Sequence, residues 1–315
     1  MIDYHEQRTY LSPWSQLALL LCLSGVGLLV GSFISIPIAT TSLNVPLEKL
    51  PDALLKSENA NLSRALQFVT TFFFMALPSF VFARIINRQP FRYIGFNSAI
   101  SGKQVFIIVG IVLMGLMVSG SLSELNEMIP ISKSAEKYFR GLEDQYNKEM
   151  LAIANIKTVK DYIMSLLIIA LLPALFEEML FRGALQPVLI GITKNAFAGI
   201  LFTSILFSAI HVSFYGFLPR LALGLIIGYV FHFSKNLWLP AITHFLYNGF
   251  GVTQMYALSK RGGLTPEVMN DDSFPLLYGL CAAVALYIIF KFFKKESEVV
   301  RSVYNLSHLP SENNE

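Results

Sequence analysis

Eight apolar segments, each about the length of a membrane-spanning helix, constrain this chain more than any other feature. A spanning helix needs roughly 20 residues, and a segment in lipid must satisfy its backbone hydrogen bonds within itself. The sequence therefore predicts an all-α fold, a polytopic transmembrane helical bundle of about eight membrane helices. The segments lie at about 15–38, 66–86, 104–121, 161–181, 196–213, 217–233, 237–257 and 275–293.

The composition is that of a membrane protein. Of the 315 residues, 54% are hydrophobic and 14% are charged, whereas a soluble domain has about a quarter charged residues. The net charge of +3 is not gathered into a basic stripe interleaved with aromatic residues, so no nucleic acid partner is expected. Membrane lipid is the expected partner of the apolar segments.

The spacing of the segments divides the chain into three parts. The central part is compact because only short gaps separate its four apolar segments. Residues 122–160 are polar and predict a partly helical connection outside the membrane, and residues 294–315 predict a disordered polar tail. The parts are 1–160 (membrane helices one to three and the polar connection), 161–257 (the central core) and 258–315 (the last membrane helix and the tail).

Basic residues indicate how the chain is oriented. The loop 84–103 carries four basic residues and no acidic one, and basic residues also follow the last apolar segment. With eight spans, both regions lie on the side of the N-terminus, so the positive-inside rule predicts that both termini are cytoplasmic. The short loops and scarce cysteines are typical of a bacterial plasma-membrane protein.

The fourth apolar segment contains adjacent carboxylates, Glu177 and Glu178, and a basic residue, Arg182, follows on the same helix. Charges within a membrane helix cost about 2.5–3.5 kcal/mol each on insertion scales, and ionisable residues there usually serve a function. Glu178 and Arg182 share a helix face and can pair, because they are four residues apart. Glu177 points away from them and could act as a general base. The simpler interpretation is that these charges mark a helix end at the interface.

Two histidines follow on neighbouring segments. Phe207 and His211 lie one helical turn apart, and counting from the turn near residue 193 gives His211 and Glu177 similar depths. His244 and Asn248 also lie one turn apart, although counting from the preceding turn makes His244 less deep than His211. Each polar residue alone could be an interfacial group or a helix–helix hydrogen bond. Together they supply a base, hydrogen-bond donors and potential metal ligands.

These three motifs in this order resemble the signature of the CAAX protease and bacteriocin-processing (Abi) family of intramembrane proteases. The resemblance covers residues 160–255 and makes 161–257 a catalytic CAAX protease/Abi-like membrane core. It implies an endopeptidase with a protein or peptide substrate, in which Glu177 activates water and His211 assists it. His244 and Asn248 would stabilise the oxyanion, and Glu178 and Arg182 would be a supporting pair.

The same residues are compatible with a zinc site and with a metal-free site. Glu177, His211 and His244 could form a zinc site with an open water position. They could equally act without metal, as a base and hydrogen-bond donors, which is the alternative we favour. The sequence contains no HExxH pattern, no GxSG motif and no aspartate pair in apolar segments, so the other classes of intramembrane protease fit less well.

Two other functions compete with proteolysis. Members of the resembled family include non-catalytic bacteriocin-immunity proteins. In such a protein, or in a membrane scaffold, the motif residues would have a structural role. A proton-coupled transporter would also bury carboxylates and histidines, but such transporters often have repeated halves with broken helices, and this sequence shows no internal repeat.

Overall fold

A computed structural model describes residues 11–154, 156–261 and 274–307, with the side chains of 305–307 excepted. The described residues are helical and include no β-strand. The principal helices are α1 (Pro13–Leu43), α2 (Ser57–Ile86), α3 (Gly102–Glu127), α4 (Lys133–Ala154), α5 (Val159–Thr193), α6 (Ala196–Ala209), α7 (Phe217–Ser234), α8 (Trp238–Lys260) and α9 (Leu276–Ser307).

The structure confirms an all-α polytopic membrane bundle, but not the count of eight spans. In the described part of the chain, six helices are long and apolar enough to cross a membrane: α1, α2, α3, α5, α7 and α9. Helix α6 has 14 residues and is about 21 Å long at 1.5 Å per residue, shorter than the roughly 30 Å hydrocarbon core. Helix α8 is long enough, but its polar side chains, such as His244, Asn248 and Gln254, lower its hydropathy.

The loops at one end of the bundle are basic. The backbone N–H of Leu237 donates to the carbonyl of Gly95 over 2.8 Å, and Lys103 pairs with Glu296 at 2.9 Å, so these loops and the last turns of α9 meet there. Helix α1 begins at this end and α9 finishes there. The basic residues of this end, hereafter the basic end, are Arg84, Arg88, Arg92, Lys103, Lys194, Lys235, Lys291, Lys294, Lys295 and Arg301.

The opposite end carries the polar connection, which is largely helical as predicted. Helix α4 packs on the loop 210–216: the rings of Phe139 and Phe214 stack with centroids 4.6 Å apart. Ser213 donates to a carboxylate oxygen of Glu143 over 2.7 Å. We call this the α4 end. The expected disordered tail is wrong for residues 294–307, which continue α9, and residues 308–315 lie outside the described residues.

Prolines widen the helices that build the centre of the bundle. Each of three π-helical turns, at 72–76, 166–171 and 179–185, is followed at its second position by a proline: Pro78, Pro173 and Pro187. Proline has no N–H to donate and its ring crowds the carbonyl four residues earlier, so the preceding turn opens. In α5, two of these turns flank the segment Leu172–Glu178.

Candidate active site

The two glutamates lie in the middle of α5 rather than at its end, since the helix continues to Thr193. Glu178 is completely buried and Glu177 is 9% exposed. The interpretation that these charges end a helix at the interface therefore does not hold for this structure. A buried carboxylate requires partners, and those of Glu178 come from α5 itself and from α8.

Glu178 is held by two nitrogen donors. Its Oε1 atom lies 2.8 Å from Nη1 of Arg182 and 2.8 Å from Nδ1 of His244. Arg182 is also completely buried, so the predicted Glu178–Arg182 pair forms inside the bundle. Because an ionised carboxylate only accepts hydrogen bonds, His244 donates from Nδ1. His244 therefore presents Nε2 on its opposite edge.

Glu177 lies on that opposite edge. Its Oε2 atom is 4.0 Å from Nε2 of His244, which is beyond direct hydrogen-bond distance. Within the described residues, this buried oxygen has no hydrogen-bond partner. His244 thus lies between the two carboxylates, with one ring nitrogen bonded to Glu178 and the other facing Glu177. Counting residues from the preceding turn predicted that His244 is less deep than His211, yet its side chain reaches the carboxylates of α5.

Phe207 connects the motif residues on α5, α6 and α8. Its ring lies 4.7 Å from Cζ of Arg182, which is a cation–π distance. The ring centroids of His211 and His244 lie 5.3 Å and 5.7 Å away, both in edge-on arrangements. The family-like Phe207-x-x-x-His211 motif therefore places an aromatic ring beside three predicted site residues.

His211 lies beyond the end of α6, not within the helix as the sequence predicted. The helix ends at Ala209, because the chain must reverse direction before α7 and Val212 adopts a left-handed backbone with φ 50°. His211 still points along the last turn, since its Nδ1 atom lies 2.9 Å from the carbonyl oxygen of Phe207. A carbonyl only accepts, so Nδ1 donates and Nε2 is left for other partners.

Asn248 contacts α5 at a carbonyl to which Pro173 cannot donate a hydrogen bond. Its Nδ2 atom lies 3.5 Å from the carbonyl oxygen of Ile169, at the outer limit for a hydrogen bond. Pro173 follows Ile169 by four residues and cannot donate the helical bond to that carbonyl. The Asn248 amide is therefore near α5 but only loosely bonded there.

The donor set does not fit a zinc site. Among the described residues, no three His, Cys, Asp or Glu side chains are grouped so that they could hold a metal ion. Glu177 and His244 are neighbours, but His211 does not complete a set of three with them.

Sequence reasoning missed the glycines that let α7 support Arg182. Nη2 of Arg182 donates to the carbonyl of Gly224 over 3.1 Å. A Cβ atom at Gly224 would lie 2.9 Å from Cβ of Ser204 on α6, and one at Gly228 would lie 2.7 Å from Ile200, so both positions require glycine for close packing. The signal was present as Gly224-x-x-x-Gly228, a spacing typical of closely packed membrane helices.

Sequence reasoning also missed Arg220, in the first turn of α7. Its guanidinium interacts electrostatically with both Glu177 and His211. The positively charged groups of the site therefore come from two helices, Arg182 from α5 and Arg220 from α7. Only the reversal of the chain after α6 brings Arg220 back to the site.

A comparison with family models agrees with the motif geometry. Residues 159–250 match the model of the Rce1-like type II CAAX prenyl endopeptidases. The family resemblance predicted from the motifs is therefore confirmed for residues 159–250. No curated protein and no solved structure matches the chain.

The endopeptidase-like segment, residues 159–250, contains all six predicted site residues: Glu177, Glu178, Arg182, His211, His244 and Asn248. It begins with α5 and ends within α8. Together with the apolar helices, the match supports an integral membrane protein with an intramembrane-protease kind of function. Helices α1 to α4 and α9 lie outside the match.

Proposed function

We propose that this chain is an intramembrane endopeptidase that hydrolyses a peptide bond with a water molecule activated by Glu177. The observation that carries the proposal is the position of His244 between two buried carboxylates, with Nδ1 bonded to Glu178 and Nε2 facing Glu177 over 4.0 Å. A base and a polarised imidazole are thus presented side by side, away from bulk water. This is the combination that peptide hydrolysis needs.

Glu177 acts first as a base and then as an acid. Its carboxylate removes a proton from water as the water oxygen bonds to the scissile carbonyl carbon, and the carbonyl oxygen becomes an oxyanion. When the tetrahedral intermediate collapses, the carbon–nitrogen bond breaks and Glu177 returns the proton to the leaving amine. His211, with Nδ1 bonded to the Phe207 carbonyl, assists by accepting a hydrogen bond from the attacking water at Nε2.

His244 and Asn248 stabilise the oxyanion in this mechanism. As an imidazolium, His244 donates from Nε2 to the oxyanion while Nδ1 donates to Glu178. Glu178 stabilises the imidazolium through this hydrogen bond, and Arg182 fixes the Glu178 carboxylate through their 2.8 Å contact. The amide of Asn248 is available as a second donor because its bond to Ile169 is long. Preorganised donors of this kind typically contribute a factor of about 10²–10³ each to kcat.

The protein is oriented with its basic end in the cytoplasm in this proposal. Ten basic residues lie in the loops and helix ends there, as named above, and cytoplasmic loops are enriched in Lys and Arg. The start of α1 at Pro13 and the end of α9 at Ser307 are both at the basic end. The α4 end, with the loop that carries His211, then faces the opposite side of the membrane.

Purified full-length protein in detergent tests the proposal with a panel of fluorogenic peptides, prenylated and unprenylated. We expect the wild type to cleave at least one peptide, and Glu177→Ala and His211→Ala to lose cleavage by about 10³-fold or more. Each protein is also assayed with a chelator, and an unchanged wild-type rate is expected. Cleavage that persists in both variants would reject this site.

The competing function is a non-catalytic immunity or scaffold protein of the same family. The discriminating measurement is a cellular phenotype of the wild-type protein compared with Glu177→Gln at equal membrane abundance. A phenotype that Glu177→Gln preserves would favour the non-catalytic function, because the amide keeps the shape of the side chain but cannot act as a base.

A further inference from the structure

A cavity of about 770 Å³ lies at the α4 end of the bundle. It is lined by residues of α3, α4, the loop 210–216, the first turn of α7 and the middle of α8, and by Phe274 just before α9. One wall is apolar, with Leu113, Leu116 and Met117 of α3. Aromatic and basic groups also line the cavity, including Tyr247 and Arg220. The cavity is within the size range of sites that bind small molecules, about 300–1,000 Å³.

The cavity lies next to the proposed catalytic groups. Tyr247, Gly251 and Gln254 line it from α8, and His244 is on the same face of that helix because it is three residues before Tyr247 and seven before Gly251. Arg220 lines the cavity and also interacts electrostatically with Glu177. A molecule held in the cavity therefore lies beside the site that would cut it.

Arg220 has a buried nitrogen without an acceptor. Among the described residues, no acceptor lies within hydrogen-bond distance of its Nη1 atom. The guanidinium lies above Gly216, where an added Cβ atom would be 2.0 Å from Nη1, and its Cζ atom is 5.1 Å from the ring centroid of Tyr146. A buried guanidinium donor is unfavourable until an acceptor reaches it.

The acidic residues around the cavity do not supply that acceptor. Glu143 accepts from Ser213 over 2.7 Å. Glu127 and Asp144 are exposed. The second arginine of the cavity, Arg140, is exposed and pairs with Glu136 at 3.1 Å. Arg220 is therefore the basic group of the cavity wall with a buried donor still to be satisfied.

We propose that Arg220 forms a carboxylate-binding subsite that selects anionic peptide substrates. The guanidinium would donate to a carboxylate of the bound peptide, since such pairs are geometrically matched and stronger than neutral hydrogen bonds. The apolar wall of α3 would contact the neighbouring side chains. This inference rests on the proposed endopeptidase function. The carboxylate has two possible sources, the C-terminus of the peptide or an acidic side chain near the scissile bond.

Three fluorogenic peptides with the same core distinguish these sources. The first has a free C-terminal carboxylate, the second has an amidated C-terminus and one glutamate, and the third is amidated and neutral. For the full-length wild type, we expect kcat/KM to be about tenfold higher for one of the two anionic peptides than for the neutral one. The peptide that is preferred identifies the source of the carboxylate.

Variants assign the preference to Arg220. In Arg220→Gln, the ratio of kcat/KM between the preferred and the neutral peptide should fall to about one, and Arg220→Lys should keep an intermediate ratio. Gly216→Ala should also lower the ratio, because the new methyl group displaces the guanidinium while its charge remains. The matched control is Arg140→Gln, which removes an arginine of the same cavity and should keep the wild-type ratio.

Binding is measured separately from hydrolysis. The affinity of labelled peptides is measured by fluorescence anisotropy with two full-length proteins, Glu177→Gln and the double variant Glu177→Gln, Arg220→Gln. This measurement detects a preference for anionic peptides even if the chain cleaves none of them. Preferred binding that depends on Arg220 without any cleavage would support the subsite and reject the endopeptidase. Equal affinity for anionic and neutral peptides, or an Arg220→Gln effect that is equal for all three, would overturn the subsite.

Discussion

The Nδ1 atom of His244 lies 2.8 Å from Oε1 of Glu178, and the same oxygen lies 2.8 Å from Nη1 of Arg182. One buried carboxylate oxygen therefore connects the second motif histidine on α8 with the motif arginine on α5. Glu177, the adjacent residue, has no contact as close as this among the described residues: its Oε2 atom lies 4.0 Å from Nε2 of His244. The two neighbouring glutamates consequently differ in what their removal should do.

Glu178→Gln should destabilise the protein, whereas Glu177→Gln should not. Removing the charge of Glu178 leaves Arg182 buried without its counter-ion, and breaking a buried pair in this way costs about 3–5 kcal/mol. Glu177→Gln removes a carboxylate that has no close ion pair, so its stability should stay within about 1 kcal/mol of wild type. Thermal unfolding in detergent and peptide hydrolysis measure the two properties.

We expect Glu177→Gln to be folded and inactive and Glu178→Gln to unfold at a lower temperature. Lys103→Gln is a control for removing a surface ion pair, because Lys103 pairs with Glu296 and its side chain is 70% exposed. Equal destabilisation by the two glutamine variants would contradict the different partners assigned to the carboxylates.

Phe207→Ala should lower both stability and activity. Its ring is 1% exposed and contacts Arg182, His211 and His244, so its removal leaves a cavity at the site. Truncation of a buried phenylalanine to alanine costs about 3–5 kcal/mol. Phe207→Leu should retain more stability than Phe207→Ala but lose the ring contacts, which hydrolysis at a temperature where both are folded would detect.

The matched control is Phe202→Ala on the same helix, since the Phe202 side chain is 50% exposed. We expect this variant to keep peptide hydrolysis within about twofold of wild type. A loss of hydrolysis as large as that of Phe207→Ala would argue that α6 as a whole, and not the ring of Phe207, sustains the site.

Asn248→Ala should affect catalysis more than stability. Its bond to the Ile169 carbonyl is 3.5 Å long, and losing a neutral hydrogen bond costs about 0.5–1.5 kcal/mol. Loss of an oxyanion donor lowers kcat by about 10²–10³-fold. Steady-state kinetics of the purified variant should therefore show a lower kcat with a small change in unfolding temperature.

The double variant Pro173→Ala, Asn248→Ala separates the two roles of this amide. Alanine at position 173 supplies an N–H that can bond to the Ile169 carbonyl in place of Asn248. We expect stability to recover relative to Asn248→Ala while kcat stays low. Recovery of kcat would mean that Asn248 acts only through the shape of α5.

Membrane orientation can be tested with single cysteines. In a background with Cys22 and Cys281 replaced by alanine, Ser98→Cys probes the basic end and Ser134→Cys probes α4, and both positions are exposed. A membrane-impermeant maleimide applied to intact cells should label Ser134→Cys and leave Ser98→Cys unlabelled until the membrane is permeabilised. The reverse pattern would invert the proposed orientation.

The sequence determined the helices and the residue types of the candidate site. A chain in lipid can satisfy its backbone only within helices, so the apolar segments predict the architecture without tertiary information. The pairing of Glu178 with Arg182 was also predictable, because residues four apart on one helix are neighbours. The polar character of the connection that became α4 was likewise readable from its composition.

Only the tertiary structure decided how the site closes. Counting residues from a turn assumes that the helices are straight and end at the same depth. On that assumption, His244 was too shallow to meet the carboxylates. The π-helical turns of α5, the short α6 and the turn that places His211 outside the helix change those depths, and none has an unambiguous signal in the spacing of the apolar residues. Arg220 reaches the site for the same reason. Distances between helices depend on packing and chain reversal, whereas sequence spacing fixes neighbours only within one helix.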